Sequence, residues 1–176
     1  MAHRRPLTGL LLGLLALAAC RPSPAPPQTE APAPPEAPAA GTRTVTLFFL
    51  SASTGDLTPA LAEMPASEDP AANARAVVDL LLAGPNDPSF APPLPPGSSV
   101  RGLYPLGDLL VVDLALPPDA GPLEGTRNEM DLAYAVANTV CLNVPEFKGV
   151  RLLLNGTDRG PLMTHLDLSR PLRPKL

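Results

Sequence analysis

Apolar positions along the chain change period several times, and each change marks a different kind of element. Leu7–Leu17 is a continuous apolar run behind Arg4 and Arg5, closed by Leu17-Ala18-Ala19-Cys20. It is shorter than the about 20 apolar residues of a permanent membrane helix and reads as a targeting signal. Arg21–Gly41, RPSPAPPQTEAPAPPEAPAAG, has no apolar period and is nearly all Pro and Ala with two glutamates. It carries too little apolar surface to offset its ordering entropy, and its prolines predict an extended tether rising roughly 3 Å per residue.

From Arg43 the pattern is that of a folded domain. Val45, Leu47 and Phe49 alternate with Thr44 and Thr46, which predicts a strand over TRTVTLFFL; Phe48 and Leu50 add apolar residues on its other face and place it in the interior. Ser51–Gly55 predicts a turn. Asp56–Met64 has poor periodicity and reads as a loop with no more than a short strand at Leu57. Asp69 before Pro70 predicts a helix start, the stripe Ala74, Val77, Val78, Leu81 and Leu82 its buried face, and Gly84-Pro85 its end. NDPSFAPPLPPGSS is a long proline-rich loop, either a stiff surface crossing or a binding lip.

Val100–Tyr104 and Leu109–Leu116 predict a hairpin around Pro105-Leu106-Gly107-Asp108. Its second strand is apolar on both faces, with Leu110, Val112, Leu114 and Leu116 on one and Leu109, Val111, Asp113 and Ala115 on the other, so it is central in its sheet or covered twice. Thr126 and Glu129 predict a capping box opening a second helix, with the stripe Met130, Ala133, Tyr134, Ala137, Val140 and Cys141. Lys148–Leu154 predicts a strand turned by Asn155-Gly156, and Leu162–Leu168 a short edge strand. The order β-α-β-β-α-β predicts an α+β two-layer sandwich with both helices on one face of the sheet.

Composition sharpens the ends of the chain. Leu-Ala-Ala-Cys resembles a bacterial lipoprotein signal box, which implies that Cys20 is acylated and becomes the mature N-terminus. An ordinary secretory signal cleaved after Ala19 or later is the alternative. The expected organisation is then a signal peptide at 1–19, a lipidated Cys20 with its tether at 20–42, and one domain at 43–176. The formal net charge is −4 and becomes −6 once Arg4 and Arg5 are removed, so no basic field exists to attract nucleic acid. Arg21 follows Cys20 where an aspartate would retain a lipoprotein in the inner membrane. The expected location is the bacterial cell envelope, lipid-anchored, in the outer membrane if the organism has two.

Candidate chemistry is sparse. No nucleophile elbow, zinc-spaced Cys/His set, phosphate loop or calcium loop is present, and no cofactor or metal is implied. The expected domain has His165 as its one histidine and Cys141 as its one thiol, the latter expected to be buried. Asp113 is the odd residue of an apolar strand, expected to bond backbone or turn donors. Asn138 and Thr139 are expected to be local hydrogen-bonders. His165 and Asp167, two apart, would face one side of a strand, so that the carboxylate orients the imidazole or the histidine ties the C-terminal edge to the body. Asp113, Asn138, His165 and Asp167 are the possible structural or ligand-contact residues.

Six segments together resemble the GerMN domain of sporulation and spore germination proteins: AVVDLLLAGP at Ala76–Pro85, PGSSV at Pro96–Val100, LLVVDL at Leu109–Leu114, NTV at Asn138–Val140, VRLLLNG at Val150–Gly156 and HLDLSRP at His165–Pro171. The resemblance spans Thr44 to Leu172. It implies a small α+β domain similar to the ring-building modules of sporulation secretion complexes, with no established enzymatic role. The chain departs from the family in carrying one copy and in having Thr164 where glycine often precedes the histidine. The expected function is a non-catalytic, membrane-anchored module that binds another envelope protein or itself. The alternative is binding or slow hydrolysis of a cell-wall or other polysaccharide, disfavoured by the absence of Trp and the scarcity of Tyr and Phe.

Overall fold

The computed structural model describes residues 41–120, 125–158 and 165–175. Its elements are β1 (Thr42–Ser51), β2 (Leu57–Pro65), α1 (Pro70–Ala83), β3 (Phe90–Ala91), β4 (Ser99–Leu106), β5 (Leu109–Ala115), α2 (Thr126–Asn143) and β6 (Gly149–Leu154). The class is α+β, and with β2 and β3 set aside the elements follow the expected order β-α-β-β-α-β. Their strands form two sheets of three, ordered β2-β1-β3 and β4-β5-β6. Helix α1 packs on β1 and β4, while α2 packs on β1, β6 and α1, so each helix touches both sheets. Cys20, the signal run and the tether as far as residue 40 lie outside the described residues, and Thr42, expected at the tether's end, opens β1.

Strand β2 replaces the loop expected over Asp56–Met64. It pairs antiparallel with β1 from Leu50↔Leu57 to Thr42↔Pro65. Its period was hidden by the identity of its faces: the inward positions are Thr58, Ala60, Ala62 and Met64, while Leu61 points outward and is 77 % exposed. Small residues suffice inside because β1 supplies the bulk, with Val45, Leu47 and Phe49 buried. The proline-rich loop also contains β3, which pairs with the end of β1 through Leu50↔Ala91 and Ser51↔Phe90.

In α1, the Asp69 side chain accepts from Ala71 N at 2.9 Å, and Gly84 at φ 83° donates to Leu81 O. Strands β4 and β5 join through Gly107-Asp108, and Gly107 takes φ 62°. Strand β5 is central, antiparallel to β4 and parallel to β6. The Asn155-Gly156 turn has both residues at positive φ, 53° and 81°, with Leu154 and Thr157 exchanging backbone bonds across it.

Three expectations for the second half are corrected. The capping box is absent: Gly125 is the N-cap of α2 with no side-chain bond, and Thr126 lies inside the helix. Glu129 is drawn elsewhere, to the C-terminal segment. The stripe of α2 is broader than expected, since Leu132, Ala135, Val136, Asn138, Thr139 and Asn143 are buried along with Ala133, Ala137 and Val140. The stripe is broad because a helix touching two sheets and another helix is covered around most of its girth, while Met130, Tyr134 and Cys141 are only half-buried. The expected edge strand over Leu162–Leu168 is not formed at His165–Leu168, where the chain bends and turns; Leu162–Thr164 lie outside the described residues. Instead Leu172 bridges to Val150 at the border of β6, the two exchanging backbone bonds at 2.8 and 2.7 Å.

Candidate functional site

The polar chemistry of the domain converges on α2. Glu129, fully buried, accepts backbone N–H groups from His165 and Leu166 on Oε2, both at 2.8 Å, and Oε1 lies 3.1 Å from His165 Nδ1. Asn138 Nδ2 donates to Lys175 O at 2.9 Å, and its Oδ1 accepts from Lys175 N at 2.8 Å. Thr139 Oγ1 accepts from Phe48 N at 3.2 Å. Asn143 Oδ1 accepts from Thr46 N at 2.9 Å while its Nδ2 donates to Thr46 O and to Thr139 O, both at 2.7 Å. Arg43 Nη2 adds a bond to the Asn143 carbonyl.

These contacts have one physical cause. Strand β1 is paired along its whole length by β2 but only at its end by β3. The backbone of Thr46 and Phe48 on that second side would be unsatisfied on burial, at a cost of roughly 1–3 kcal/mol per group. Thr139 and Asn143 stand in for the missing strand. Glu129 and Asn138 do the same for the irregular C-terminal segment.

Asp113 sits on the outer face of β5. Its Oδ1 accepts from Gly156 N at 2.9 Å and its Oδ2 from Arg101 Nε at 3.2 Å. Asp167 Oδ1 accepts from Ser169 N at 2.9 Å, forming a local turn, and its Oδ2 lies 3.9 Å from Arg170 Nε. His165 and Asp167 therefore occupy a turn, and the carboxylate at His165 Nδ1 is Glu129. Sequence reasoning missed Glu129 and Asn143. The signal available was a carboxylate and an amide on a helix whose apolar positions surround them. Cys141 is half-buried beside Lys148 and Arg173. Desolvation pushes its thiol up to about 11, against the pull of those two cations.

The outer face of β4-β5-β6 is the other distinctive surface. Cross-strand partners share a face, and here Tyr104↔Val111 and Leu106↔Leu109 join Val111↔Arg151 and Asp113↔Leu153. Tyr104 and Leu106 are 57 % and 61 % exposed. The tyrosine lies across Gly102, where a Cβ would stand 2.3 Å from Tyr104 Oη. Arg101–Asp113 and Arg151–Asp158, at 3.2 and 2.9 Å, border the patch.

Among the described residues, no group of three or more His, Cys, Asp or Glu is placed to hold a metal ion. No described helix is long and apolar enough to cross a membrane. The fold and its clamps define a small α+β module braced from within and bearing an exposed apolar sheet face. A family model described as Germane, sporulation and spore germination, matches residues 46–160. The chain belongs to that family, the GerMN domains. Solved structures share its fold. A crystal structure of a candidate lipoprotein from Clostridium perfringens aligns with TM-score 0.52 at 18 % identity, covering 76 % of this chain and 88 % of that one. The first GerMN domain of the sporulation protein GerM from Bacillus subtilis aligns with TM-score 0.50 at 18 % identity, covering 65 % and 84 %. No curated protein sequence matches the chain.

Proposed function

We propose that this chain is a lipid-tethered module that works by contact, holding another envelope protein or a second copy of itself at a distance from the membrane that bears its Cys20 anchor. The observation that carries the reading is the outer face of β4-β5-β6, where Tyr104 and Leu106 stand exposed beside Val111 and Leu153. Exposed contiguous apolar surface on a folded domain is costly unless a partner covers it. The polar clamps face inward and are occupied by backbone, which leaves them a bracing role: His165 and Leu166 are held to α2 by Glu129, and Lys175 by Asn138. Asp113 likewise braces the Asn155-Gly156 turn.

The test is affinity capture of the full chain from detergent-solubilised membranes of its own cells, with Tyr104→Glu beside the wild type. The expected outcome is one or more envelope proteins, or an untagged second copy, recovered with the wild type and depleted with the variant. Recovery of no protein with either form overturns the reading. Mass spectrometry of the mature N-terminus tests the anchor separately: a diacylated Cys20 is expected, and an unmodified Cys20 or cleavage beyond it removes the anchor from the proposal.

A further inference from the structure

Ion pairing among the described residues leaves some cations over, and they are not scattered. Arg75, Arg101, Arg127, Arg151 and Arg170 each have a carboxylate at 3.9 Å or closer. Arg43, Lys148, Arg173 and Lys175 have none among the described residues, and they lie along the C-terminal half of α2. Arg43 Nη2 bonds the Asn143 carbonyl, Lys148 Nζ bonds Pro145 O just past the helix, and Arg173 Nη1 reaches Lys148 O at 3.5 Å. Lys175 Nζ stands 5.8 Å from the centre of the Tyr134 ring. The helix dipole favours cations near these terminal carbonyls, which explains where they stand and leaves further N–H donors unused. Helix α2 has no charged residue after Asp131, and the exposed carboxylates beside the cluster, Asp108 and Glu146, pair with none of its cations. A positive field is thus concentrated on one flank of a chain whose formal net charge is −4.

Lys148 and Arg173 frame a cavity of about 380 Å³ that Cys141, Pro145, Phe147 and Pro174 complete. Its floor is apolar and its rim is cationic. Both cations pull on the Cys141 thiol, so their charge is felt inside the cavity. Leu142, 44 % exposed, continues the apolar surface beside it. A guanidinium can give a phosphate two parallel bonds, and an ammonium adds a point charge. Free phosphate would use the rim and leave the floor bare, whereas a phosphate carrying glycerol and acyl chains uses both. The chain also enters the domain here, since Gly41 and Thr42 lead directly into Arg43 at Asn143. The anchor proposed at Cys20, with a tether rising roughly 3 Å per residue, puts membrane headgroups within about 60 Å of that entry.

We infer that this cavity docks the headgroup phosphate of an anionic phospholipid, held by Arg173 and Lys148, with the apolar floor and Leu142 against the carbons that follow it. Docking goes beyond the contact function proposed above: it draws the domain, with whatever it holds, from the tether's reach down to the bilayer. The test uses the full chain purified from its own cells and reconstituted into vesicles of phosphatidylcholine, or of phosphatidylcholine and phosphatidylglycerol in equal parts. Alkylation by uncharged iodoacetamide at alkaline pH is followed at Cys141 by mass spectrometry, with Thr54→Cys, in the turn beyond the far end of β1, as an exposed reference thiol. Phosphatidylglycerol should slow the reaction at Cys141 about tenfold or more and leave position 54 unchanged. Lys148→Ala and Arg173→Ala together should abolish the slowing. Equal rates on both vesicles, slowing at 54 as large as at 141, or slowing that survives the double substitution overturns the docking. Inorganic phosphate at the same phosphate concentration should slow nothing, and an effect equal to that of phosphatidylglycerol would assign the cavity to a free anion and overturn the lipid. Flotation reads the anchor separately. A chain that does not float with phosphatidylcholine vesicles loses its anchor, and docking is then decided by flotation with the phosphatidylglycerol vesicles, expected for the wild type and absent for the double variant; flotation with neither overturns both.

Discussion

Helices α1 and α2 are built from the same fold and governed by opposite rules. Helix α1 has one buried stripe, Asn73, Ala74, Val77, Val78 and Leu81, a side-chain cap at Asp69 and an exposed Arg75–Asp79 pair on its outer surface. Helix α2 is buried around most of its middle, lacks a side-chain cap, and places Glu129, Asn138, Thr139 and Asn143 inside. The first helix is amphipathic, and the one amide in its buried stripe, Asn73, bonds only the backbone of Ser67 in the helix's own lead-in. The second is polar where the domain is driest, because two partly unpaired backbone segments lie against it. A buried polar side chain is stabilising here only as half of a bond whose other half is a strand or loop backbone.

Substitutions separate the two rules, and their expected effects descend from α2 to α1. Glu129→Ala strands the His165 and Leu166 N–H groups and should cost about 3 kcal/mol or more, read by urea denaturation of the mature chain. A loss under about 1 kcal/mol would mean that water satisfies those groups as well as the carboxylate does. Asn143→Ala, which frees both backbone groups of Thr46, should cost about 2 kcal/mol and speed hydrogen exchange at the Thr46 amide; an unchanged exchange rate there would break the stand-in-strand account. Asp69→Ala removes one cap and should cost about 1 kcal/mol, measured as a shift in the urea midpoint. Arg75→Ala disrupts an exposed i,i+4 pair at 2.7 Å and should stay below about 0.5 kcal/mol. An Arg75 effect equal to that of Asn143 would erase the distinction between the helices.

Cys141 gives a readout of the boundary between the covered and open sides of α2. With its thiol pushed up to about 11 by desolvation, alkylation of the native chain should be slow near neutrality and accelerate only as pH approaches that value. The sign follows for stability too. The unfolded thiol releases its proton near 9.0 and the folded one near 11, so the fold weakens as pH rises through that interval.

Much of this was legible in residue order. Asp69-Pro70 and Gly84-Pro85 bracket α1 because their backbone preferences are local. Leu109–Leu116 announced a central strand by being apolar on both faces, and Asn155-Gly156 announced its turn. Strand β2 was not legible: Ala60 and Ala62 face inward and Leu61 outward, so hydrophobicity pointed away from the core. Nor was the use of Glu129. Thr126 and Glu129 have the spacing of a capping box, and only the arrival of His165 and Leu166 beside the helix draws the carboxylate to them.

The sequence by itself determined the α+β class, the order of the elements other than β2 and β3, the cap of α1, the turns and the family, because each depends on contacts within a few residues or on a periodic burial pattern. Tertiary structure alone decided that the strands divide into two sheets, that β2 exists as a strand, and that four polar residues of α2 lie inside. The reason is that an unpaired backbone group has no side-chain signature. Whether Thr46, Phe48, His165 or Lys175 lacks a partner is settled by which strands fail to arrive beside them, and only then does a buried Asn or Glu become the residue that stabilises the fold.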